Sequence, residues 1–205
     1  ITKVVSMSTC VIAIDYNGDT YVWGTGGSTG SLNFVRSEIR PLRLDALPVK
    51  EPVKDFSCGL GHALFLLASG AVYSWGNGGN GRLGLGDLQD RAQATLITAL
   101  PDEETVIAVQ CGASHSMALM ASGDVYSWGK NTQGQCGGDH TEENVMWPSQ
   151  VKNLGSSDDK HNSSGALPKH FVVKIAAGWE HSAALTREGR VFMWGCGYKD
   201  SRRGV

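Results

Sequence analysis

A short pattern of apolar and polar positions recurs four times along the chain. Its clearest copy runs from Cys111 to Gly129, CGASHSMALMASGDVYSWG, and a second copy runs from Cys58 to Gly76. A third copy occupies Ala177 to Gly195, and a degenerate copy occupies Ser6 to Gly24. In each copy an apolar run, a glycine-containing turn and a second apolar run follow one another, which predicts two strands joined by a hairpin. The pattern therefore predicts a repeat protein.

Three residue types keep a fixed spacing within the copies. A tryptophan stands near the end of every copy, and the intervals between successive tryptophans are 52, 53 and 66 residues. In the last three copies a histidine lies 13 residues, and a glycine 16 residues, before the tryptophan. The first copy ends at Trp23 but has Cys10 and Met7 at the other two positions. The structural repeat positions are Gly59, His62, Trp75, Gly112, His115, Trp128, Gly178, His181 and Trp194.

The spacing predicts four short strands for each complete repeat. An apolar stretch lies before the glycine of each copy and supplies a strand ahead of the hairpin. A fourth strand is predicted about 20 residues after each of the first three tryptophans. These fourth strands are Arg40 to Leu44, Ala94 to Leu100 and Pro148 to Leu154. Four short strands in a unit of about 50 residues are typical of a β-propeller blade, so the expected fold is an all-β propeller with about four blades in this chain.

The repeats divide the chain into units of approximately 1–52, 53–105, 106–170 and 171–205, the last of them truncated and without a fourth strand. The third unit is lengthened by a polar stretch, Gly155 to Pro168, which is expected to form an exposed, mobile loop. Because the sequence starts at Ile1 inside a repeat, we expect the chain to be part of a larger protein. An unclosed propeller exposes two sheet edges, so the isolated chain is expected to oligomerise or aggregate.

Composition narrows the classes of function. The net charge is −2 and the isoelectric point is near 6.3, whereas a nucleic-acid surface needs a basic stripe to neutralise phosphates, so direct nucleic-acid binding is not indicated. No apolar run approaches the ~20 residues needed to cross a bilayer, and no membrane span is predicted. Five cysteines without a Cys-x-x-Cys pair favour a reducing compartment, so the expected location is intracellular, cytoplasmic or nuclear.

The repeated histidines are candidate metal ligands or catalytic bases, but their spacing argues against both. They occur once per unit at equivalent sites, so blade-to-blade distances separate them by more than a metal site allows. A turn histidine that hydrogen-bonds to backbone fits the repetition better. The pairs His115-Ser116 and His181-Ser182 lie inside the repeat, and the second copy has Ala63 in place of the serine. No catalytic residue, cofactor or metal site is predicted.

Two tryptophans fall outside the repeat pattern and are candidates for partner contact. Trp147 lies in a linker, and Trp179 lies in the last glycine-histidine turn, where the two preceding copies have Leu60 and Ala113. Large aromatics on turns are favoured contacts in protein interfaces, and local packing is the alternative explanation. The candidate partner-binding residues are Trp179, Glu180, Trp147 and, in the polar insertion, Asp158 and Asp159.

With the turn glycine, the histidine, the hairpin glycine and the terminal Trp-Gly all in register, the sequence resembles the regulator of chromosome condensation repeat family. The last three copies match its pattern closely, and the first matches only at Asn17-Gly18 and from Tyr21 to Gly24. The resemblance implies a seven-bladed propeller, of which about four blades would lie in this chain. Members of the family include an exchange factor for a Ran-type GTPase, propellers within HECT-type ubiquitin ligases and a plant ultraviolet-B photoreceptor.

The resemblance suggests two functions of different classes. The first is a non-catalytic protein-protein interaction propeller within a larger intracellular regulatory protein, whose parent chain would supply the remaining blades and could carry a ubiquitin-ligase domain. The alternative is guanine-nucleotide exchange on a Ran-type small GTPase, which in the family depends on an inserted β-wedge; the polar insertion here lacks the pattern of a hairpin. The photoreceptor uses several Gly-Trp-Arg-His turns, whereas this chain has one such turn with Glu180 replacing arginine, which argues against light sensing.

Overall fold

The chain forms a series of antiparallel β-sheets, in a computed structural model that describes residues 1–7, 10–24, 38–43, 47–48, 50–137, 141–152 and 170–196. Sheet I contains β1 (Lys3–Met7), β2 (Cys10–Ile14), β3 (Thr20–Gly24) and β4 (Glu38–Arg43). Sheet II contains β5 (Val53–Cys58), β6 (His62–Leu67), β7 (Val72–Gly76) and β8 (Arg91–Leu96). Sheet III contains β9 (Val106–Cys111), β10 (His115–Met120), β11 (Val125–Lys130) and β12 (Asn144–Gln150). Sheet IV contains β13 (Val172–Ala177), β14 (His181–Thr186) and β15 (Val191–Gly195).

Each sheet is built from one continuous stretch of chain, with its strands side by side in sequence order. The first strands of successive sheets contact one another, β1 with β5, β5 with β9 and β9 with β13. These first strands are therefore innermost, and β4, β8 and β12 are outermost. Sheets arranged side by side around a shared inner edge form a β-propeller, which confirms the predicted fold class. No helix within the described ranges is long and apolar enough to span a membrane.

The connections fall on two faces because strand direction alternates along each sheet. The axial-turn face carries the turns from first to second strands and the glycine-rich loops that follow the third strands. The hairpin face carries the hairpins and the linkers that lead to the next sheet. On the hairpin face Ala68 N–H donates to the Pro52 carbonyl at 3.1 Å, and Ala121 N–H donates to the Thr105 carbonyl at 2.8 Å. Each linker is thus held by the hairpin of the sheet that follows it.

The core lies between neighbouring sheets. Every residue of β6 and β10 is buried, because each of these second strands has a sheet packed on either side. This double burial explains why the two strands are almost continuously apolar instead of alternating. Phe65 and Trp75 pack between sheets I and II, and Trp128 packs between sheets II and III.

The Trp-Gly pair at the end of each repeat marks an irregularity in the sheet. The pairing of β7 with β8 shifts register between Ser74 and Gly76, and the same shift occurs in β11 before Gly129. The two glycines have φ values of 104°, a conformation that residues with a Cβ rarely adopt. The glycine therefore permits the bulge in which the tryptophan lies.

The predicted fourth strands are partly misplaced. The first, β4, lies within two residues of its prediction. In contrast, β8 begins at Arg91 instead of Ala94, and β12 begins at Asn144 instead of Pro148. An outermost strand pairs on one edge only and keeps exposed polar residues, so its start is fixed by pairing across the bulge and not by an apolar run. The polar insertion from Gly155 to Pro168 lies outside the described residues.

Candidate partner-binding face

The turns between first and second strands stack in an arc around the propeller axis. Leu60 N–H donates to the carbonyl of Ala113 at 3.0 Å, and Ala113 N–H donates to the carbonyl of Trp179 at 3.1 Å. Within each turn the glycine N–H bonds to the carbonyl of the repeat histidine, at 2.8 Å in the Gly59 turn. These bonds join the turns of sheets II, III and IV into one fixed surface, which we call the turn arc.

The glycines of the turn arc are required by close contact. A Cβ on Gly59 would overlap both the carbonyl oxygen of Gly112 and the ring of His62. A Cβ on Gly112 would overlap the ring of His115 in the same way. The Gly-x-x-His spacing of the sequence therefore reflects a histidine ring that packs directly on its own turn glycine.

The repeat histidines connect neighbouring sheets through side chains. Nε2 of His62 lies 2.9 Å from Oγ of Ser116 in sheet III, and Nε2 of His115 lies 2.9 Å from Oγ of Ser182 in sheet IV. The sequence pattern predicts a bond from these rings to backbone, and the structure adds a side-chain contact, because each ring reaches a hydroxyl of the following sheet. No sequence signal beyond the serine after His115 and His181 could have revealed the pairs, which join residues more than fifty positions apart.

Each pair continues into a three-part hydrogen-bond relay. The Ser116 hydroxyl donates to the Arg82 carbonyl at 2.8 Å, so its oxygen accepts the Nε2–H of His62. The same carbonyl accepts the indole N–H of Trp128 at 2.9 Å. At the next junction the Gln135 carbonyl takes the place of Arg82, and the donors are Ser182 at 2.8 Å and Trp194 at 2.9 Å. The relay therefore fixes the glycine-rich loop of one sheet to the core of the next.

The histidine-serine pairs have the distance of a catalytic dyad but not its surroundings. His62, Ser116, His115 and Ser182 are all fully buried. Burial lowers the pKa of His115 to about 4, and burial together with the nearby Arg82 holds the pKa of His62 well below its usual range. Because no substrate reaches these groups, the pairs join sheets instead of carrying out chemistry.

Neither metal binding nor a reactive thiol is indicated at the repeat positions of the turn arc. No group of three or more His, Cys, Asp or Glu within the described ranges could hold a metal ion. Burial raises the pKa of the Cys111 thiol to about 12, and its Sγ donates to the Ser57 carbonyl at 3.3 Å. Cys111 is therefore a packing residue; the other copies have Ser6, Cys58 and Ala177 at its position, all of them small.

Trp179 lies in the sheet IV turn, at the end of the turn arc. Trp179 is 65% exposed, although its backbone carbonyl accepts a hydrogen bond from the Ala113 N–H. It borders a concavity of about 290 Å³ together with Leu60 and the half-buried Cys58. The neighbouring Glu180 accepts a hydrogen bond from Nζ of Lys130 at 2.5 Å, which anchors the turn to sheet III.

Trp147 lies on the outermost strand β12, not in a linker as expected. It is 51% exposed, and its indole lies directly over Gly86, where a Cβ would overlap the ring. The Gly86 N–H donates to the Met146 carbonyl at 3.1 Å, so this strand packs on the glycine-rich loop of sheet II. Trp147 and Trp179 lie at opposite edges of neighbouring sheets and do not form one cluster. The other two candidates, Asp158 and Asp159, lie outside the described residues.

Arg82 is a contributor to this face that sequence reasoning missed. Its buried guanidinium donates to the carbonyls of Gly79 at 2.7 Å and Leu60 at 2.9 Å, and to Oδ1 of Asn80 at 3.0 Å. The side chain thereby ties the glycine-rich loop to the turn arc. Gln135 stands at the same repeat position in sheet III. Because the arginine is not repeated there, the sequence has no recurring charge that predicts the structural role of Arg82.

Comparison with protein families identifies the repeat. A model described as the Regulator of chromosome condensation (RCC1) repeat matches residues 69–119 and 122–185. A second model of the same description matches residues 53–82, 106–135 and 172–200. The first model spans the last strands of one sheet and the first strands of the next, so it covers the junctions that the histidine-serine pairs cross.

Curated relatives cover most of this chain. The chain is 32% identical to Protein pim1 of Schizosaccharomyces pombe over 196 residues, which are 95% of this chain and 34% of pim1. It is 35% identical to Ultraviolet-B receptor UVR8 of Arabidopsis thaliana over 182 residues, 85% of this chain and 37% of the receptor. It is 34% identical to human E3 ubiquitin-protein ligase HERC2 over 189 residues, 90% of this chain and 4% of the ligase. The chain spans about a third of the length of the first two relatives.

Solved structures share the fold. Human WBSCR16 superposes with a TM-score of 0.74 at 24% identity, over 94% of this chain and 47% of that protein. Yeast RCC1 (Prp20), solved bound to Kap60, superposes with a TM-score of 0.74 at 21% identity, over 95% of this chain and 43% of that protein. With the repeat models matching more than half of its residues, the chain belongs to the regulator of chromosome condensation (RCC1) repeat family.

Proposed function

We propose that this chain is part of a non-catalytic interaction propeller that holds a protein partner on its axial-turn face. The observation that carries the proposal is Trp179, a large aromatic that remains exposed although its turn is bonded to sheet III through Ala113 and Lys130. Tryptophan is over-represented among the residues that dominate binding energy at protein interfaces. The repeat histidines and tryptophans of sheets II and III are buried, so recognition is left to the turn residues that differ between repeats.

The contacts that hold the Trp179 turn in place reduce the conformational entropy that binding a partner would cost. Ala113 N–H fixes its carbonyl, and the ion pair of Glu180 with Lys130 fixes the next residue. A contact residue that is already held in place loses little conformational entropy when a partner arrives. The concavity beside it, about 290 Å³, accommodates one large apolar side chain of a partner protein.

The relatives are compatible with a scaffold of this kind. HERC2 is named as a ubiquitin-protein ligase, and this chain matches only 4% of it, so the ligase activity of that protein need not lie in the matching repeats. Yeast RCC1 (Prp20) was solved in complex with the protein Kap60. We propose that the present chain likewise serves a larger intracellular protein as a binding module, with further blades supplied by that protein.

Guanine-nucleotide exchange is the second candidate, because the fold is shared with yeast Prp20p, whose crystal structure was reported with its binding to Gsp1p and histones. The described residues contain no β-wedge hairpin projecting from the axial-turn face. Exchange would therefore depend on parts of the parent protein beyond these residues.

Affinity capture from cell lysate with the full parent protein tests the proposal. Wild type is compared with Trp179→Ala, and Trp147→Ala is the matched control because it removes an equally large, half-exposed indole from the outer edge. We expect Trp179→Ala to reduce recovery of a specific protein at least tenfold, corresponding to about 1.4 kcal/mol, and Trp147→Ala to leave it unchanged.

Two other outcomes change the conclusion. Recovery of a nucleotide-free small GTPase, followed by accelerated nucleotide release in a purified assay, establishes the exchange function instead. Equal recovery with wild type and Trp179→Ala places the partner surface elsewhere and removes the observation on which the proposal rests.

A further inference from the structure

A cleft opens on the hairpin face between the hairpin of sheet II and the linker that leads to sheet III. It has a volume of about 340 Å³, and we call it the linker cleft. The hairpin residues 69–71 line it on one side, and the linker residues Thr98, Pro101 and Asp102 line it on the other. Four further lining residues belong to the core between sheets II and III, namely Val72, Ile97, Leu100 and Val106. An apolar side chain that enters the linker cleft therefore contacts this core.

Hydrogen bonds hold both sides of the linker cleft in place. In the hairpin, the hydroxyl of Ser69 donates to the carboxylate of Glu51 at 3.1 Å, and the Ser69 N–H donates to the same carboxylate. In the linker, the carboxylate of Glu104 accepts the hydroxyl of Ser122 at 2.5 Å. The two sides are therefore fixed before a ligand arrives, and a site that is already fixed loses little conformational entropy on binding.

The charge beside the linker cleft is negative. Between Arg91 and Lys130 the sequence contains four carboxylates and no lysine or arginine. The four are Asp102, Glu103, Glu104 and Asp124, and all of them lie on the hairpin face, in the linker or in the hairpin of sheet III. Arg91 and Lys130 lie at the axial-turn ends of β8 and β11, where they pair with Asp87 and Glu180. The negative charge is therefore not compensated within this stretch of chain.

The equivalent linker between sheets I and II carries a balanced charge. A cleft at the same place is lined there by two acids and two bases, Asp19, Glu51, Arg43 and Lys50. Arg43 pairs with Asp19 at 2.6 Å, and Lys50 stands at the repeat position of Glu103. The repeat itself therefore does not require an acidic cleft. The acidity is particular to the linker that enters sheet III.

We infer that the linker cleft binds a segment of a partner protein in which one or two apolar residues are flanked by lysines or arginines. The apolar residues contact Ile97 and Leu100, and the flanking cations lie beside Asp102 and Glu103. Removing the apolar residues from water supplies most of the affinity, whereas the charges steer association and select the partner. This surface lies on the face opposite to Trp179 and does not depend on the function proposed for that residue.

Binding of defined peptide pools to the full parent protein tests the inference. The test pool contains labelled octapeptides with lysine or arginine at four positions around two central apolar residues. One control pool has serine at the central positions, and a second has aspartate or glutamate in place of the basic residues. Fluorescence anisotropy at low salt measures the dissociation constant of each pool. We expect the test pool to bind about tenfold more tightly than either control pool, or better.

Paired variants locate the binding site. Asp102→Asn with Glu103→Gln removes two charges beside the cleft and is expected to weaken binding of the test pool about fivefold or more. Glu142→Gln with Glu143→Gln is the matched control, because it removes the same charge from exposed residues at the axial-turn end of sheet III, and binding should stay at the wild-type level. Thr98→Arg places a cation at an exposed lining position and should weaken binding about tenfold, whereas Thr98→Ser should not.

Three results would overturn the inference. Failure of the test pool to bind the wild-type protein would show that the cleft does not take a basic segment with apolar residues. Equal weakening by the two double variants would assign binding to net charge and not to the cleft. Equal binding of the pool with central serines would show that the apolar residues of the cleft are not used. Trp179→Ala should leave binding of the test pool unchanged, which separates failure of this inference from failure of the proposed function.

Discussion

The junction of sheets I and II and the junction of sheets II and III hold equivalent sheets together by different chemistry. Between sheets II and III, Ser116 and Trp128 both donate to the carbonyl of Arg82, and His62 donates to the Ser116 hydroxyl, in a buried relay. Between sheets I and II, the Lys3 ammonium donates to the Phe56 carbonyl at 2.6 Å and pairs with the carboxylate of Asp55. Here the repeat tryptophan, Trp75, bonds within its own sheet to the carbonyl of Ala92 at 3.0 Å.

The difference shows how one repeat can accept two kinds of neighbour. A half-exposed ion pair contributes up to about 1 kcal/mol and is screened by salt. The stability of a buried, neutral relay does not depend on salt. However, removing one side chain of the relay leaves a buried donor or acceptor without its hydrogen bond, which costs the full desolvation penalty of that group. The stability of the first junction should therefore depend on ionic strength. The stability of the later junctions should depend on pH and on each single serine hydroxyl.

Acid is expected to produce the largest effect, because the relay histidines fold in the neutral form. The pKa of His115 is lowered to about 4 from an ordinary value of 6.5, so its contribution is fully present above pH 6.5 and is lost as the pH falls towards 4. The expected loss is about 3 kcal/mol for this residue. Urea unfolding at a series of pH values measures it, and His115→Gln should flatten the profile. A wild-type profile that is flat across this window would contradict the assignment.

Removing one relay hydroxyl is expected to come next. Ser116→Ala leaves the Nε2–H of His62 without an acceptor and takes one donor from the Arg82 carbonyl, so the free energy of unfolding should fall by about 1–3 kcal/mol. Ser149→Ala, on the outermost strand, is the control and should have little effect. If urea unfolding shows the same loss of stability for both variants, the relay does not stabilise the fold more than an ordinary surface hydroxyl does.

Installing the relay at the first junction is expected to give a smaller gain. Cys10→His, Ala63→Ser and Met7→Gly give the first junction the residue types that the other two junctions carry at the same repeat positions, where Gly59 and Gly112 pack on the histidine rings. The combined variant should be about 1 kcal/mol more stable than the summed effects of the separate substitutions on the free energy of unfolding predict. Additive effects in a complete mutant cycle would show that the positions do not interact.

The ion pair of the first junction is expected to matter least. Lys3→Met keeps the aliphatic contact with Phe56 and removes the charge, so the loss should be below about 1 kcal/mol. The loss should shrink further at high salt, whereas the loss from Ser116→Ala should stay constant. A salt-independent effect of Lys3→Met would indicate that the Phe56 carbonyl bond, and not the ion pair, holds the junction.

Much of the fold could be predicted from the sequence because its signals are local and repeated. The hairpin glycines and the Trp-Gly pair predicted the order of strands in each unit, and β5, β9 and β13 lie ahead of the turn glycine, as the apolar stretch there predicted. The fourth strands were displaced by three or four residues where pairing across a bulge, and not hydrophobicity, sets the start. The structure places the two candidate tryptophans differently, since Trp179 is exposed and Trp147 is half-exposed and packs on Gly86; their part in partner binding stays a prediction.

The sequence by itself determined the repeat, the strands and the family, because each of these depends on residues close together in the chain. Only the tertiary structure decided what those residues do. His62 and Ser116 meet across two sheets although 54 positions separate them, and their pairing appears in no single repeat. Burial separated the tryptophans in the same way: Trp128 lies between sheets and supports the fold, whereas Trp179 lies on the turn arc and faces solvent. Local spacing specifies a unit, and the packing of one unit against the next specifies which of its side chains are left for a partner.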